Sequence, residues 1–333
     1  MKGVVFLGNR QCEVRDFPLP EPGNGEVRIK MKVSGICGSD LHVYRAAQAG
    51  DNVQGHESCG VVDKLGQNVV NLKVGDRVAV HHHQGCGQCY YCSIGDYVWC
   101  AKDKVISGAF GEYIVAHERN CVILPDSVSF DDGPFLACVG GTAYAALRRL
   151  GVVAHLPQTV AVYGLGPVGL STILVGKALG TRVIGVDVVE ERIQIALKCG
   201  ADNAVNTSKE NPVEAIAEFT GTNGVDFLVE TSGSTGARNN IIPSLRRGGK
   251  AAIVGVGSQE KVFNPGDFHA RRITVMGSVV FPMSWMWELA QFCGAGRLTF
   301  QPAITHRFRI EDAVEALRTA DESKCGKVLF DWD

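Results

Sequence analysis

The chain has 333 residues, 45% apolar and 20% charged, with 33 Lys and Arg against 35 Asp and Glu for a formal net charge of -2. That balance provides no broad positive field, so a nucleic-acid partner is not expected. No apolar stretch of about twenty residues exists to cross a bilayer, and the length exceeds what one hydrophobic core organises, so two domains are expected.

The opening Met1-Lys2-Gly3-Val4-Val5-Phe6 is too short an apolar run for a signal peptide, which points to the cytoplasm. Twelve Cys are many for such a protein. Cys12, Cys59, Cys121, Cys199 and Cys293 stand singly in apolar surroundings and read as small buried residues rather than as a disulfide framework. Pro18, Pro20 and Pro22 mark a loop, and Val27–Val33 then alternates apolar and basic residues, the period of a half-buried strand. Between Cys37 and His56 a thiol, the hydroxyl of Ser39 and the imidazoles of His42 and His56 fall within twenty residues. Thiolate and imidazole are preferred zinc ligands, and a site with an open position is a catalytic one. Ser39 and His42 remain spare and suit a proton path to solvent, with a turn hydroxyl and an exposed loop histidine as the plainer readings.

Gly60–Val62 and Asp76–Val80 continue the β pattern. His81-His82-His83 would alternate faces on a strand and so could not chelate one ion, leaving one ring to line a pocket. Cys86, Cys89, Cys92 and Cys100 follow with the spacing CxxCxxC, seven residues, C. Four thiolates so close can enclose one tetrahedral zinc with no vacant position, a structural site; their two-residue gaps are too cramped for unstrained disulfides. Phe110–Val115 reads as a strand, and Phe135–Leu147 as a turn entering a helix. Cys138 within it is a third catalytic-zinc ligand or one more buried thiol.

At Thr159 the pattern changes. The apolar strand Thr159–Tyr163 runs into Gly164-Leu165-Gly166-Pro167-Val168-Gly169 and a helix over Leu170–Leu179, and the next strand, Arg182–Val186, ends in Asp187. A GxGxxG turn between strand and helix, with an acid some twenty residues on, is a dinucleotide-binding fingerprint whose phosphates rest on the helix N-terminus. Asp187 would accept hydrogen bonds from the adenosine ribose and repel a 2′-phosphate, although a helix-capping role is the alternative. Glu190 and Glu191 add charge of the same sign, and Arg192 is the one basic residue in reach, which favours NAD over NADP. Strand patterns at Val225–Thr231, Lys250–Gly257 and Ile273–Val280 alternate with helices, as in a doubly wound parallel sheet. Ile310–Ala320 is an amphipathic helix and Gly326–Phe330 a closing strand, expected to return to the first lobe.

Gly55-His56-Glu57 with Gly60, Gly66 and Val69, Cys37-Gly38-Ser39-Asp40, the four-Cys lobe, Phe110-Gly111-Glu112-Tyr113 and the glycine turn occur in one order. In this the chain resembles the zinc-dependent medium-chain alcohol and polyol dehydrogenases along its whole length. The resemblance implies an α/β protein with a doubly wound (Rossmann) coenzyme domain over 140–280 and a mostly β, GroES-like catalytic domain over 1–139, to which 281–333 returns. It implies two zinc ions per chain, one held by Cys37, His56 and Cys138 and one by the four-Cys lobe, with Glu57 beside the first. Ser39 and His42 would relay the proton; Thr142 would touch the nicotinamide, and Val254, Val256, Ser278 and Val280 would flank its ring.

The expected activity is NAD-dependent oxidation of a secondary alcohol or polyol: zinc makes a bound alcohol acidic near neutral pH, and its hydride passes to nicotinamide. An L-threonine or sugar-acid dehydrogenase of the same family is an alternative, as is a zinc-free quinone reductase. A zinc-ribbon nucleic-acid module is opposed by the missing basic surface. Gln48 and the histidines suggest a polar pocket, whereas Phe281, Met283, Trp285 and Trp287 suggest an apolar slot or an interface. A homodimer or homotetramer is expected by resemblance. The chain is shorter than larger members between His42 and Gly55, which bears on the pocket's shape.

Overall fold

The computed structural model describes residues 1–48, 50–221, 224–260 and 262–332. The chain divides into one compact unit of Met1–Gly141 with Val280–Asp333, and a second of Thr142–Val279.

The first unit is built on a seven-stranded sheet. Its central strand, Glu26–Gly35, pairs antiparallel with Glu57–Leu65, with Tyr113–His117 and with the C-terminal strand Lys327–Asp331. The alternation read over 27–33 is the cause: Val27, Ile29, Met31 and Val33 all turn into the core, while Arg28 and Lys30 face outward. Phe6, Phe110, Phe330 and Leu317 pack into the same core. That burial brings the helix Ala313–Asp321 and the last strand home, at roughly 1.5–3 kcal/mol per large side chain removed from water. The strand expected over 110–115 is displaced: regular pairing runs over Tyr113–His117, and Phe110 instead lies in a turn whose backbone N–H reaches Gln54.

The second unit is a six-stranded sheet, parallel throughout. In space its strands run Asn203–Asn206, Arg182–Asp187, Thr159–Tyr163, Val225–Glu230, Leu245–Ile253 and Thr274–Gly277. The order is that of the doubly wound dinucleotide fold, in which the sheet reverses direction of growth beside its first strand. Val160, Ala161 and Val162 are fully buried, as a strand covered on both faces requires. Two strand ends differ from the sequence reading. Residues 254–257 have left the ladder, and the edge strand stops at Gly277, because the chain turns away above the sheet's C-terminal edge. Among the described residues no helix is long and apolar enough to cross a membrane.

Candidate metal centre and cofactor turn

Three segments of the first unit deliver the side chains of one buried cluster. Cys37 is the N-cap of the helix Gly38–Arg45, and Asp40 in the first turn accepts the Cys37 backbone N–H at 2.8 Å. His56 leads into the strand Glu57–Leu65 from Gly55, where a side chain would meet the Phe110 ring at 2.4 Å. Cys138 sits at a break, φ -146° and ψ -83°, between the helices Gly133–Ala137 and Val139–Leu150. The turn entering a helix expected over 135–147 is a short helix, Gly133–Ala137, that breaks at Cys138 before Val139–Leu150 begins.

Ligand atoms of Cys37, His56, Glu57 and Cys138 all lie within 4.8 Å of one another. The two sulfurs are 4.0 Å apart; a tetrahedral ion with Zn–S bonds of about 2.3 Å asks for roughly 3.8 Å. His56 Nδ1 is held by Asp40 Oδ1 at 2.8 Å, which leaves Nε2 for a ligand and fixes the ring as carboxylate partners do at metal sites. The donor set fits zinc. Hydrogen bonding from Cys138, and then from His56, holds the Cys37 thiol well below its ordinary range despite burial. Burial works against a charged His56, but the Asp40 carboxylate outweighs it and the imidazole is raised.

Behind the cluster lies a pair the sequence did not disclose. Glu57 and Lys327 are both fully buried and form an ion pair, and Lys327 Nζ also donates to the Ile36 carbonyl at 2.9 Å. Glu57 Oε1 has no hydrogen-bond partner among the described residues. Burial works against the Glu57 carboxylate while Lys327 favours it, and the Lys327 ammonium is in turn raised by Glu57 and Cys37 in spite of burial. A Cβ at Gly35 would intrude on both partners. Ser39 and His42 are exposed, three residues apart on one helix, so they share a face open to solvent.

The four-Cys lobe forms the second metal-sized cluster, with Cys86 and Cys92 sulfurs 4.0 Å apart and Cys89 and Cys92 3.6 Å apart. Backbone N–H groups of Gln88 and Cys89 pull the Cys86 thiol down to about 6, and those of Cys86 and Lys102 lower Cys100, whereas burial pushes Cys92 up to about 11.

The histidine triplet departs from expectation. The strand ends at Val80, so the three rings do not alternate: His81 and His82 stack at 5.5 Å, and His82 lies 5.1 Å from the His56 ring. Nor do the late aromatics form one slot. Phe281 is buried against His81, Met283 packs on the four-Cys lobe and Trp287 is exposed. Gln48 is exposed.

In the second unit the helix Pro167–Ala178 begins inside the glycine turn, with Gly166 as N-cap and Pro167 in its first turn. Gly164 has φ 90°, and a Cβ on Gly169 would lie 1.9 Å from the Gly164 carbonyl, so the helix seats directly on the turn. Among the described residues only an Arg192 amino group comes within 4 Å of where a Cβ on Gly166 would sit, at 3.9 Å, which leaves room for an anion at the amide edge. Leu165 lies beneath, buried, and Val168 completes the first turn. Asp187 accepts from the Leu165 N–H with one oxygen and from Val188 and Val189 with the other, so it braces the turn as well as ending its strand. Arg192 is not the one basic residue here: Lys209 reaches Glu190 at 2.7 Å, and with Asn206 and Gln194 holds that carboxyl down to about 2.

Thr142 is buried in its helix, the Val254 N–H pairs with the Glu230 carbonyl, Val256 is exposed, Ser278 accepts from Arg149, and Val280 adopts φ 48°. Also absent from the sequence reading is buried Glu230, which takes the N–H groups of Ser232 and Gly233, while Arg238 holds the Gly255 and Ser258 carbonyls. The run Thr-Ser-Gly-Ser-Thr after that strand was the available signal.

Residues 23–126 match the model of the alcohol dehydrogenase GroES-like domain, and residues 167–293 that of the zinc-binding dehydrogenases. An uncharacterized zinc-type alcohol dehydrogenase-like protein, YphC of Escherichia coli K12, is 34% identical over 100% of this chain and 99% of its own length. The sorbitol dehydrogenase of Bacillus subtilis is 31% identical over 99% of this chain and 96% of its own. The solved alcohol dehydrogenase TADH from Thermus sp. ATN1 superposes with a TM-score of 0.92 at 27% identity, covering 99% of both chains. Such agreement defines an oxidoreductase acting on CH–OH groups. The chain belongs to the zinc-dependent medium-chain dehydrogenase family.

Proposed function

We propose that the protein oxidises a secondary alcohol or polyol with NAD, using zinc at Cys37, His56 and Cys138 and a second, structural zinc in the four-Cys lobe. The observation that carries this reading is the buried convergence of two thiols, an Asp40-oriented imidazole and a carboxylate within 4.8 Å. When bound, zinc supplies Lewis-acid polarisation of the substrate oxygen and NAD accepts the hydride. The chain's own residues do the rest. Asp40 fixes the His56 tautomer, and Lys327 offsets the charge of Glu57 behind the ligands. Ser39 accepts the proton of the substrate hydroxyl as it gives up its own, and His42, on the same exposed face, releases a proton to solvent. The turn at Gly164–Gly169 binds the dinucleotide phosphates, and Thr142, Val254, Val256, Ser278 and Val280 bound the nicotinamide. The sorbitol relative supports the polyol class.

A panel of alcohols, polyols and aldonates, read as NADH absorbance beside metal analysis, tests the reading. Zinc in the protein and NAD-linked turnover are expected; quinone reduction with NADPH by metal-free protein would overturn it.

Asp187→Ser should lower the NAD-to-NADP ratio of kcat/KM by about tenfold or more, since roughly 1.4 kcal/mol is a factor of ten. Because Asp187 also braces Leu165, the KM for NAD should rise too. An unchanged ratio would remove Asp187 from cofactor choice. Cys89→Ala should lower the melting temperature far more than turnover per folded molecule, because a structural zinc contributes folding energy. Equal losses in both would argue against a purely structural lobe.

A further inference from the structure

His82 is a buried histidine that the chemistry above does not use. The ring is only 6% exposed and lies 5.1 Å from that of His56. Its Nδ1 sits 2.8 Å from the Ala137 carbonyl, one residue before Cys138. A carbonyl can only accept, so Nδ1 carries the proton, and in the neutral ring Nε2 is left as an acceptor. Charge on this ring is opposed by its burial among His56, His81 and His83, whose rings lie 4.6 to 5.5 Å away.

The neighbouring rings are committed elsewhere. His81 uses both nitrogens on the backbone, at Phe281 and His83, and His83 is tied to Asp103. His82 Nε2 has no hydrogen-bond partner among the described residues. An acceptor of fixed orientation on a buried ring is costly to leave without a donor.

We infer that His82 is a specificity-determining residue: its Nε2 accepts a hydrogen bond from a hydroxyl on the carbon next to the reacting one, so that the site selects vicinal diols and polyols over matched mono-alcohols. This rests on the dehydrogenase reading above. The ring stands 5.1 Å from that of His56, one of the residues proposed to hold the metal, which puts it next to the reacting oxygen in that reading. A site built around such an acceptor penalises analogues lacking the hydroxyl, because the buried group is then left unpaired.

The test compares 2,3-butanediol with 2-butanol, and glycerol with 2-propanol, in the wild-type enzyme and in His82→Phe, which keeps an aromatic ring and removes the acceptor. The ratio of kcat/KM for diol over mono-alcohol should fall about tenfold or more in His82→Phe, and His82→Asn should restore part of it. A second readout is independent of turnover. Ring 15N shifts, assigned to His82 by difference with the variant, should report the Nδ1–H tautomer. An unchanged ratio in active enzyme, or an Nε2–H tautomer, overturns this inference and leaves the dehydrogenase reading intact. No turnover of any alcohol by metal-loaded protein overturns both.

Discussion

Cys37→Ala is expected to lose alcohol oxidation by a factor on the order of 10³ or more, equivalent to ~4 kcal/mol of barrier, while NADH binding stays close to that of the parent. The reason lies in where the two functions are housed. Cys37, His56 and Cys138 belong to the unit formed by Met1–Gly141 and Val280–Asp333, whereas the glycine turn and Asp187 lie in Thr142–Val279. Removing one thiolate leaves a two-ligand remnant that holds zinc poorly, and the buried Glu57 then faces a cluster lacking its cation. Metal analysis, NADH fluorescence titration and turnover on one preparation read all three consequences. Full activity in Cys37→Ala would end the zinc reading, and loss of NADH binding would show that the units are not separable.

The second large effect concerns stability. Lys327→Met should destabilise the protein by about 3–5 kcal/mol, the cost of breaking a fully buried ion pair by deleting one partner. In a unit of this size that corresponds to a fall in melting temperature of roughly 10 °C. Adding Glu57→Gln should recover a substantial part, because the double variant leaves no orphaned charge; the cycle of single and double variants measures the coupling. A melting temperature for Lys327→Met within a degree or two of the parent would mean that the ammonium is not what steadies Glu57.

Much of this architecture was legible in the chain. The strand Thr159–Tyr163, the glycine turn and the acid after Val186 obey local rules, because strand, turn and helix cap are each specified by neighbours within a few residues. The four-Cys lobe is equally local. Cys138 was harder: its neighbours are helix formers, and only the break in the backbone directs its thiol to Cys37, across a separation of 101 residues. Asp40 looks in sequence like an ordinary acid in a first helical turn, and its second oxygen on His56 is a tertiary fact.

Lys327 opens the closing strand, whose first four residues are all buried, although a lysine ordinarily keeps its ammonium in water. Its ammonium meets Glu57 across the intervening central strand, over Gly35, a pairing that no local pattern encodes. The histidine triplet misled for a related reason. A strand would have separated the rings, but the chain leaves the sheet at Val80 and stacks them.

The reach of Lys327 back to Ile36, 291 residues earlier, also orders events on the ribosome. Both thiols and the imidazole of the first cluster emerge early, yet the lysine that balances Glu57 is translated only after the whole dinucleotide-binding unit. Until then the nascent sheet lacks the strand that closes it and carries a carboxylate with no counter-ion. Closure of so long a loop is slow, so the half-made sheet stays partly open and prone to aggregation until the final strand arrives.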